Sequence, residues 1–176
     1  ISDLGMKAEA SATIPLRRPV EISIDTTSVF NDYGDGTGRG WTDLTAEITI
    51  TDYPGEENFY SVAAKQIIYN SDHVYYPYHI QFYFYESSYF SDRGKDGEKL
   101  SAGKFYYMDA SGDDSSELIV YILQTDKDYY TYHNSLNKYS SGQDPFTEIS
   151  PAYSNIEGGL GIFASYVVDS LVFKIK

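Results

Sequence analysis

The sequence predicts a mostly β domain, an antiparallel β-sandwich or barrel with one α-helix near the C-terminus. Apolar and polar residues alternate over several segments, and tight-turn residues separate these segments. Alternation with a period of two is typical of half-buried strands, and many strands joined by short turns are typical of a sandwich or barrel. The 19 Tyr residues among 176 fit this fold class, because Tyr is enriched on pleated, half-buried surfaces.

The strands are predicted where the alternation is clearest. These segments are Val20–Asp25, Glu47–Thr51, Tyr78–Glu86 and Leu171–Ile175. The stretch Leu118–Leu123 is apolar on both faces, which predicts a central strand covered on each side. Weaker patterns predict further strands over Met6–Thr13, Asn58–Ile68, Glu98–Tyr107 and Leu160–Val167. Turn residues separate the strands at Asp52–Gly55, Asp92–Gly97 and Ser111–Asp114.

One segment carries a helical pattern instead. Thr125 and Asp128 resemble a capping box, and the large side chains that follow recur at helical spacing. These residues are Tyr129, Tyr132, His133, Leu136 and Tyr139. We predict a helix from Asp126 to Tyr139, ending near Ser141–Gly142. Its Tyr129, Tyr132 and Leu136 side chains are expected to lie against the sheet, with Lys127 and Lys138 in water.

Length and charge limit the classes of function. A chain of 176 residues predicts a single domain, residues 1–176, and its start at Ile1 without a signal-peptide pattern indicates a processed or truncated product. A formal net charge of −13 disfavours binding to nucleic acid or to anionic lipid. The absence of Cys excludes disulfides, Cys-ligated zinc and thiol nucleophiles. No apolar run approaches the ~20 residues of a spanning helix.

Catalytic residues are not evident in the sequence. The three His residues, His73, His79 and His133, lie outside any nucleophile–base or metalloprotease motif, and each is interpreted as a packed or surface residue. We therefore expect no enzyme, no catalytic residue and no cofactor. A carboxylate pair for glycoside hydrolysis remains an alternative, because the separation of two carboxylates does not follow from sequence.

The segment from Asn31 to Gly38 combines oxygen ligands with glycines. Asn31, Asp32 and Asp35 are candidate ligands of a weakly bound Ca²⁺, since hard cations prefer oxygen. The twelve-residue spacing and terminal Glu of an EF-hand are missing, and Asn, Asp and Gly are ordinary loop residues. The sequence favours a plain loop.

Aromatic residues are the candidate ligand-binding residues. Trp41 with Tyr33 predicts either an aromatic platform at the loop or, in the favoured interpretation, a Trp that packs in the core or anchors the loop. The other candidates for stacking on a sugar ring or clamping a peptide are Tyr75, Tyr76, Tyr78, Tyr129 and Tyr130. Packing on an edge strand or helix explains these residues equally well.

The most distinctive sequence motifs lie in six segments spread over nearly the whole chain. They are Ala12–Pro15, Asp52–Gly55, Asn58–Tyr60, Asp128–Tyr132, Asp144–Glu148 and Ser154–Phe163. In this order they resemble the domain of unknown function 4249 family, predicted outer-membrane lipoproteins of Bacteroidetes. The resemblance implies the C-terminal part of a lipid-anchored protein from a family often associated with TonB-dependent uptake, with no assigned activity and no catalytic residues.

The last of these segments is interpreted as a structural motif. Its glycines, Gly159 and Gly161 among them, permit positive φ or close backbone approach, while Asn155 and Glu157 can satisfy loop amides. We expect this motif to turn the chain into the final strands.

Together these observations predict a non-catalytic surface domain that binds a nutrient-related ligand, a surface glycan or peptide, or a TonB-dependent transporter. A glycan-active hydrolase and a lipocalin-like barrel around a small apolar ligand are the alternatives. An eight-stranded outer-membrane barrel fits the length, but the predicted helix and the polar interruptions argue against it.

Overall fold

The computed structural model describes residues 7–69, 78–79, 88–107, 115–141 and 151–175. Its elements are β1 (Glu21–Asp32), β2 (Gly40–Thr51), β3 (Phe59–Tyr69), β4 (Tyr78–His79), β5 (Tyr89–Ser91), β6 (Lys99–Tyr106), β7 (Ser115–Thr125), α1 (Lys127–Ser141) and β8 (Tyr166–Ile175). The strands form two antiparallel sheets, and the part of the chain described here contains no closed barrel. The predicted fold class is confirmed, in its sandwich form.

The first sheet has the strand order β1-β2-β6. β1 and β2 form a long hairpin that pairs from Glu21–Thr51 to Asp32–Gly40. β6 pairs only with the Thr45–Thr51 half of β2, and a bulge at Ala102 shifts its register beside Ile48. The other half of the hairpin therefore extends beyond β6 as a two-stranded ribbon.

The second sheet has the order β4-β3-β7-β8, with β5 also pairing with β3. β3 and β7 are paired over the full length of both strands, from Phe59–Thr125 to Tyr69–Ser115. β8 pairs with the other side of β7. β7 is therefore a central strand, as predicted.

The core lies between the two sheets. Alternate residues of the paired strands face inward, including Ile48 and Ile50 of β2 and Leu118, Val120 and Ile122 of β7, which are all at most 1% exposed. The opposite face of β7, with Ile119, Tyr121 and Leu123, is only half-buried. The expectation that β7 is fully covered on both faces was therefore wrong for its outer face.

Six predicted strands are confirmed, in β1, β2, β3, β6, β7 and β8, and β1 and β2 extend farther toward the loop than the alternation indicated. Within the predicted strand Tyr78–Glu86, β4 confirms only its first two residues. The remainder of that segment, the turn Ser111–Asp114, His73, Tyr75 and Tyr76 lie outside the described residues.

Two predicted strands were wrong. From Lys7 to Thr13 the chain makes only an isolated bridge, between the backbones of Glu9 and Glu157. In Leu160–Val167 only the last two residues belong to a strand, because Gly158 and Gly161, at φ of 77° and 112°, turn the chain before β8 begins. Apolar content alone had suggested strand there.

The helix is confirmed, but its cap is not the predicted one. The Asp126 carboxylate accepts the backbone N–H of Tyr129 at 2.8 Å, so Asp126 is the N-cap. Thr125 is instead the last residue of β7, where it pairs with both neighbouring strands. Tyr129, Tyr132 and Leu136 are half-buried and Lys127 is exposed, whereas the Lys138 side chain lies outside the described part. No described helix is long and apolar enough to cross a membrane.

Candidate binding surface

The ribbon that extends beyond β6 ends in a glycine-rich loop. We call residues 28–44 the hairpin tip. The loop closes through a hydrogen bond from the Tyr33 N–H to the Arg39 carbonyl at 2.9 Å. Gly34, Gly36 and Gly38 have φ of 73°, 74° and 67°, a conformation that side-chain-bearing residues rarely adopt. The glycines therefore set the loop shape and leave the flanking aromatic residues at the strand ends.

The three candidate calcium ligands are engaged in bonds within the hairpin tip. One Asp32 oxygen accepts the Gly34 N–H at 2.9 Å, and one Asp35 oxygen accepts the N–H and hydroxyl of Thr37 at 2.9 and 2.5 Å. These bonds hold the pKa of Asp35 below its ordinary value. Asn31 lies in β1 and donates to the Asp43 carboxylate at 2.8 Å. The plain-loop interpretation accounts for this arrangement.

The hairpin tip carries an exposed aromatic pair. The ring centroids of Tyr33 and Trp41 are 5.5 Å apart with an interplanar angle of 42°. Tyr33 is 62% exposed and Trp41 49%, so the interpretation of Trp41 as a core residue was wrong. Trp41 alternates with the inward-facing positions of β2 and therefore points away from the core. The alternative interpretation, an aromatic platform at the loop, matches this geometry.

Phe30 adds a third exposed ring, on the other face of the ribbon. It is 58% exposed, and it is paired with Thr42. A Cβ added to Gly40 would lie 2.8 Å from Phe30 Cζ and would clash with the Asn31 carbonyl. Gly40 thus lets the Phe30 ring lie close over the backbone of β2. Both faces of the hairpin tip are aromatic.

Two of the other candidate tyrosines, Tyr129 and Tyr130, are not brought to this surface. Tyr130 packs on Phe59 with centroids 5.0 Å apart, and Tyr129 contacts Tyr166 and His133 at 5.8 and 4.4 Å. Tyr129 and Tyr130 thus join the helix to the second sheet, and the packing interpretation holds for them. Tyr78 lies in β4, where its side chain is outside the described part, as is that of His79.

His133 lies in an aromatic cluster rather than beside a nucleophile. Its ring stacks on Tyr89 at a centroid distance of 4.4 Å and an angle of 10°, and Tyr129 and Tyr132 also contact it. Burial lowers the pKa of His133, and burial also raises the pKa of Tyr89 and Tyr129. His133 is thus neutral near pH 7 and packs against three Tyr rings.

A group of three carboxylates, two of them buried, was missed by the sequence analysis. The predicted turns at Asp52–Gly55 and Asp92–Gly97 meet, and their Asp52, Asp92 and Asp96 carboxylate oxygens lie within 4.8 Å of one another. We call these three residues the carboxylate clasp. Asp52 and Asp92 are only 4% and 2% exposed. The signal was present in the sequence, since both turns carry Asp, but nothing in the sequence showed that the turns are neighbours.

Each carboxylate of the clasp accepts backbone amides across the two turns. Asp52 accepts the Gly97 N–H at 2.9 Å, Asp96 accepts that of Gly55 at 2.8 Å, and Asp92 accepts that of Asn58 at 3.0 Å. The second Asp52 oxygen accepts the Tyr60 hydroxyl at 2.5 Å. These are the described residues that could surround a hard cation, yet their oxygens already serve as acceptors that join the turns.

Burial and a neighbouring carboxylate change the titration of Asp92. Burial raises the pKa of Asp92 above its ordinary value, and the negative charge of Asp52 acts in the same direction, although the Asn58 hydrogen bonds oppose both. Burial and the hydrogen bond to Asp52 also raise the pKa of Tyr60. Asp92 is therefore the carboxylate of the clasp whose negative charge the site disfavours.

The glycine-rich motif turns the chain into β8, with positive φ at Gly161 but not at Gly159. The Asn155 side chain donates to the Phe163 carbonyl at 2.8 Å and accepts the Phe163 N–H at 2.9 Å, which closes the loop before β8. It also donates to Asp128 of the helix at 2.9 Å. Glu157 acts through its backbone, which exchanges two hydrogen bonds with Glu9.

Comparison with known proteins identifies the family. The family described as Domain of unknown function (DUF4249) matches residues 2–171, and the chain belongs to it. Neither the curated proteins nor the solved structures include a match to this chain.

Proposed function

We propose that this member of the domain of unknown function 4249 family is a non-catalytic binding module of the cell surface that engages its ligand or partner through the hairpin tip. The observation that carries the proposal is the exposed Tyr33–Trp41 pair at the end of a ribbon that extends beyond the rest of its sheet. A folded chain gains nothing in core stability from aromatic rings held in water. Their placement is better explained by contact with another molecule.

The chemistry of the tip supports binding of a sugar or peptide surface. Tyr and Trp supply a large contact area at a low cost in side-chain entropy, and they are enriched among residues that dominate binding energy. Each ring also has a polar atom at its edge, which can hydrogen-bond to a ligand while the face makes apolar contact. The packed state of His133 supports a non-catalytic module.

We further propose that a lipid anchor outside this chain holds the module at the outer membrane, where its partner is a TonB-dependent transporter. This part of the proposal rests on the resemblance to lipoproteins. A net charge of −13 favours a neutral or basic partner surface and disfavours nucleic acid.

Purification from native membranes with a combined Tyr33→Ala and Trp41→Ala variant tests the proposal. We expect wild type to retain a specific protein or glycan and the variant to lose it, with purified components then reproducing the difference. Phe163→Ala is the matched control, because the exposure of Phe163 (58%) lies between those of Trp41 and Tyr33 but the residue lies in the loop before β8. Retention by the hairpin variant would reject the tip as the contact surface, and turnover of a glycan would favour a hydrolase.

A further inference from the structure

The β1 strand forms one edge of the first sheet, and in the described part of the chain it pairs with β2 alone. This pairing runs over the whole length of β1 without a bulge. Every residue from Asp25 to Phe30 is exposed, on both faces of the strand. Alternate backbone N–H and C=O groups of β1 point away from β2. An edge of this length is a template for the addition of another strand.

The other edges of the described sheets carry features that oppose strand addition. β6 is shorter, contains the bulge at Ala102, and exposes Lys99 and Lys104. β8 places a charged residue on its inward face, since Asp169 is paired with the core residue Ile122. β4 and β5 are very short strands in the part that is described. Up to Phe30, β1 has no Lys, Pro, bulge or inward-pointing charge.

The charges on the β1 edge are acidic. Glu21 and Asp25 face outward, and Asp25 lies directly opposite Glu47 of β2. Like charges directly opposite each other destabilise a strand pair, so this arrangement does not serve the fold. Neither β1 nor β2 contains a Lys or Arg. The edge therefore repels an acidic segment and attracts a basic one.

Nearby basic residues do not neutralise the edge. Lys99 and Lys104 lie on β6, two strands and about 10 Å from β1, which is one Debye length at 0.1 M salt. Arg39 lies beyond the far end of β1, about 20 Å along the strand from Asp25. A strand added to β1 would lie about 5 Å from it and about 15 Å from β6. Glu21 and Asp25 are thus the charges nearest to an added strand.

A cleft of about 520 Å³ lies beside the start of β1. Its apolar lining includes Ile22 of β1 and Leu171 of β8. Arg17 and Arg18 also line it, and each is already paired with a carboxylate, at 2.6 and 2.9 Å. An added strand would direct alternate side chains inward, beside Ile22 and Ile24, which pack against the core. The cleft therefore favours apolar residues at the inward positions of that strand.

We propose that β1, from Glu21 to Thr27, binds an extended basic segment of a partner protein as an added strand of the first sheet. Backbone hydrogen bonds to β1 supply affinity, outward Lys or Arg side chains contact Glu21 and Asp25, and inward side chains are apolar. A second copy of this chain is disfavoured, because pairing of two β1 strands would bring their acidic residues together. This surface goes beyond the proposed function, because it lies outside the hairpin tip.

Calorimetric titration with a capped seven-residue peptide that alternates Lys and Val tests the edge, with the alternating Glu and Val peptide as the matched probe. We expect saturable binding of the Lys peptide with a Kd of about 1 mM or tighter, and no binding of the Glu peptide. Binding should weaken as NaCl rises from about 50 to about 500 mM. At about ten times the Kd, the β1 amides that point away from β2 should exchange hydrogen about fivefold or more slowly. Slower exchange reports strand pairing, which charge attraction alone does not produce.

Charge-reversal variants locate the binding surface. Asp25→Lys should weaken binding of the Lys peptide about fivefold or more, because it replaces attraction by repulsion. The same change removes the like-charge pair with Glu47, so the variant should melt at the wild-type temperature or above it. Glu157→Lys makes the same charge change in the loop before β8 and should leave the affinity within about twofold. Trp41→Ala should also leave it unchanged, which keeps this test independent of the hairpin tip.

Four results would overturn the proposal. They are the absence of saturable binding at about 10 mM peptide, equal binding of the Glu peptide, unchanged exchange of the β1 amides, and wild-type affinity in Asp25→Lys. A dimer that protects the same amides without peptide would assign the edge to a second copy of the chain, and would overturn it as well.

Discussion

Replacement of Asp92 by Asn is expected to stabilise the protein at neutral pH. Asp92 is buried beside Asp52, and burial raises its pKa. An Asn side chain keeps the shape of Asp, still accepts the two Asn58 donors through its carbonyl oxygen, and donates its own N–H toward Asp52. The substitution removes the negative charge that burial beside Asp52 disfavours.

The size of the effect follows from the repulsion between the two carboxylates. Oxygens of Asp52 and Asp92 lie within 4.8 Å of each other, so two ionised groups repel by at least roughly 3.5 kcal/mol at an effective dielectric constant of about 20. Hydrogen bonds from Asn58 favour the ionised form and offset about half of this amount. Asp92→Asn should therefore raise the free energy of unfolding by about 1–2 kcal/mol at pH 7.

The pH dependence gives a second readout with a fixed sign. Because the folded state holds the Asp92 proton to higher pH than the unfolded state, wild type loses stability as pH rises from the ordinary Asp pKa through the raised one. Asp92→Asn should remove that loss. Denaturant titrations of both proteins from pH 4 to pH 8 measure it, with Asp96→Asn as the control for an exposed clasp carboxylate. A variant less stable than wild type at pH 7, or an unchanged pH profile, would refute the reasoning.

Three further outcomes are expected. Gly161→Ala should lower the denaturant midpoint, because Gly161 has φ of 112°, and an unchanged midpoint would show that the turn accommodates a side chain. Leu136→Ala should cost about 1–2 kcal/mol, below the 2–5 of a fully buried Leu, because Leu136 is half-buried; an unchanged melting temperature would mean that this face does not pack. Millimolar calcium should leave the melting temperature unchanged, because Asp32 and Asp35 already close turns. A calcium-dependent rise that Asp35→Asn abolishes would establish a loop site instead.

The local pattern of apolar residues was sufficient to predict an element where that element buries one face. The alternation around Ile48 and Ile50 predicted β2, and the helical spacing after Asp126 predicted α1. It was insufficient at Leu160–Val167, where apolar residues line a turn that the glycines impose. The period of the apolar residues shows which face of a strand or helix is buried. A short run of apolar residues has no such period, so it does not distinguish a strand from a turn.

The candidate sites depended on contacts between distant segments. Trp41 and Tyr33 are close along the hairpin, so their pairing was accessible from the sequence. The carboxylate clasp requires two turns about 40 residues apart to meet. The contact of the N-terminal segment with the end of β7 joins Arg18 to Gln124, and neither segment carries a pattern that specifies the other.

The Gln124 side chain has a mechanical consequence. Its amide binds the Arg18 backbone as a neighbouring strand would, and Arg17 pairs with Asp169 beside it. A pulling force applied before Lys7 would therefore pass into β7 and β8 through these contacts, instead of reaching β1 directly. The hydrogen bonds of Gln124 and the ion pair of Arg17 would therefore have to break before the force loaded β1.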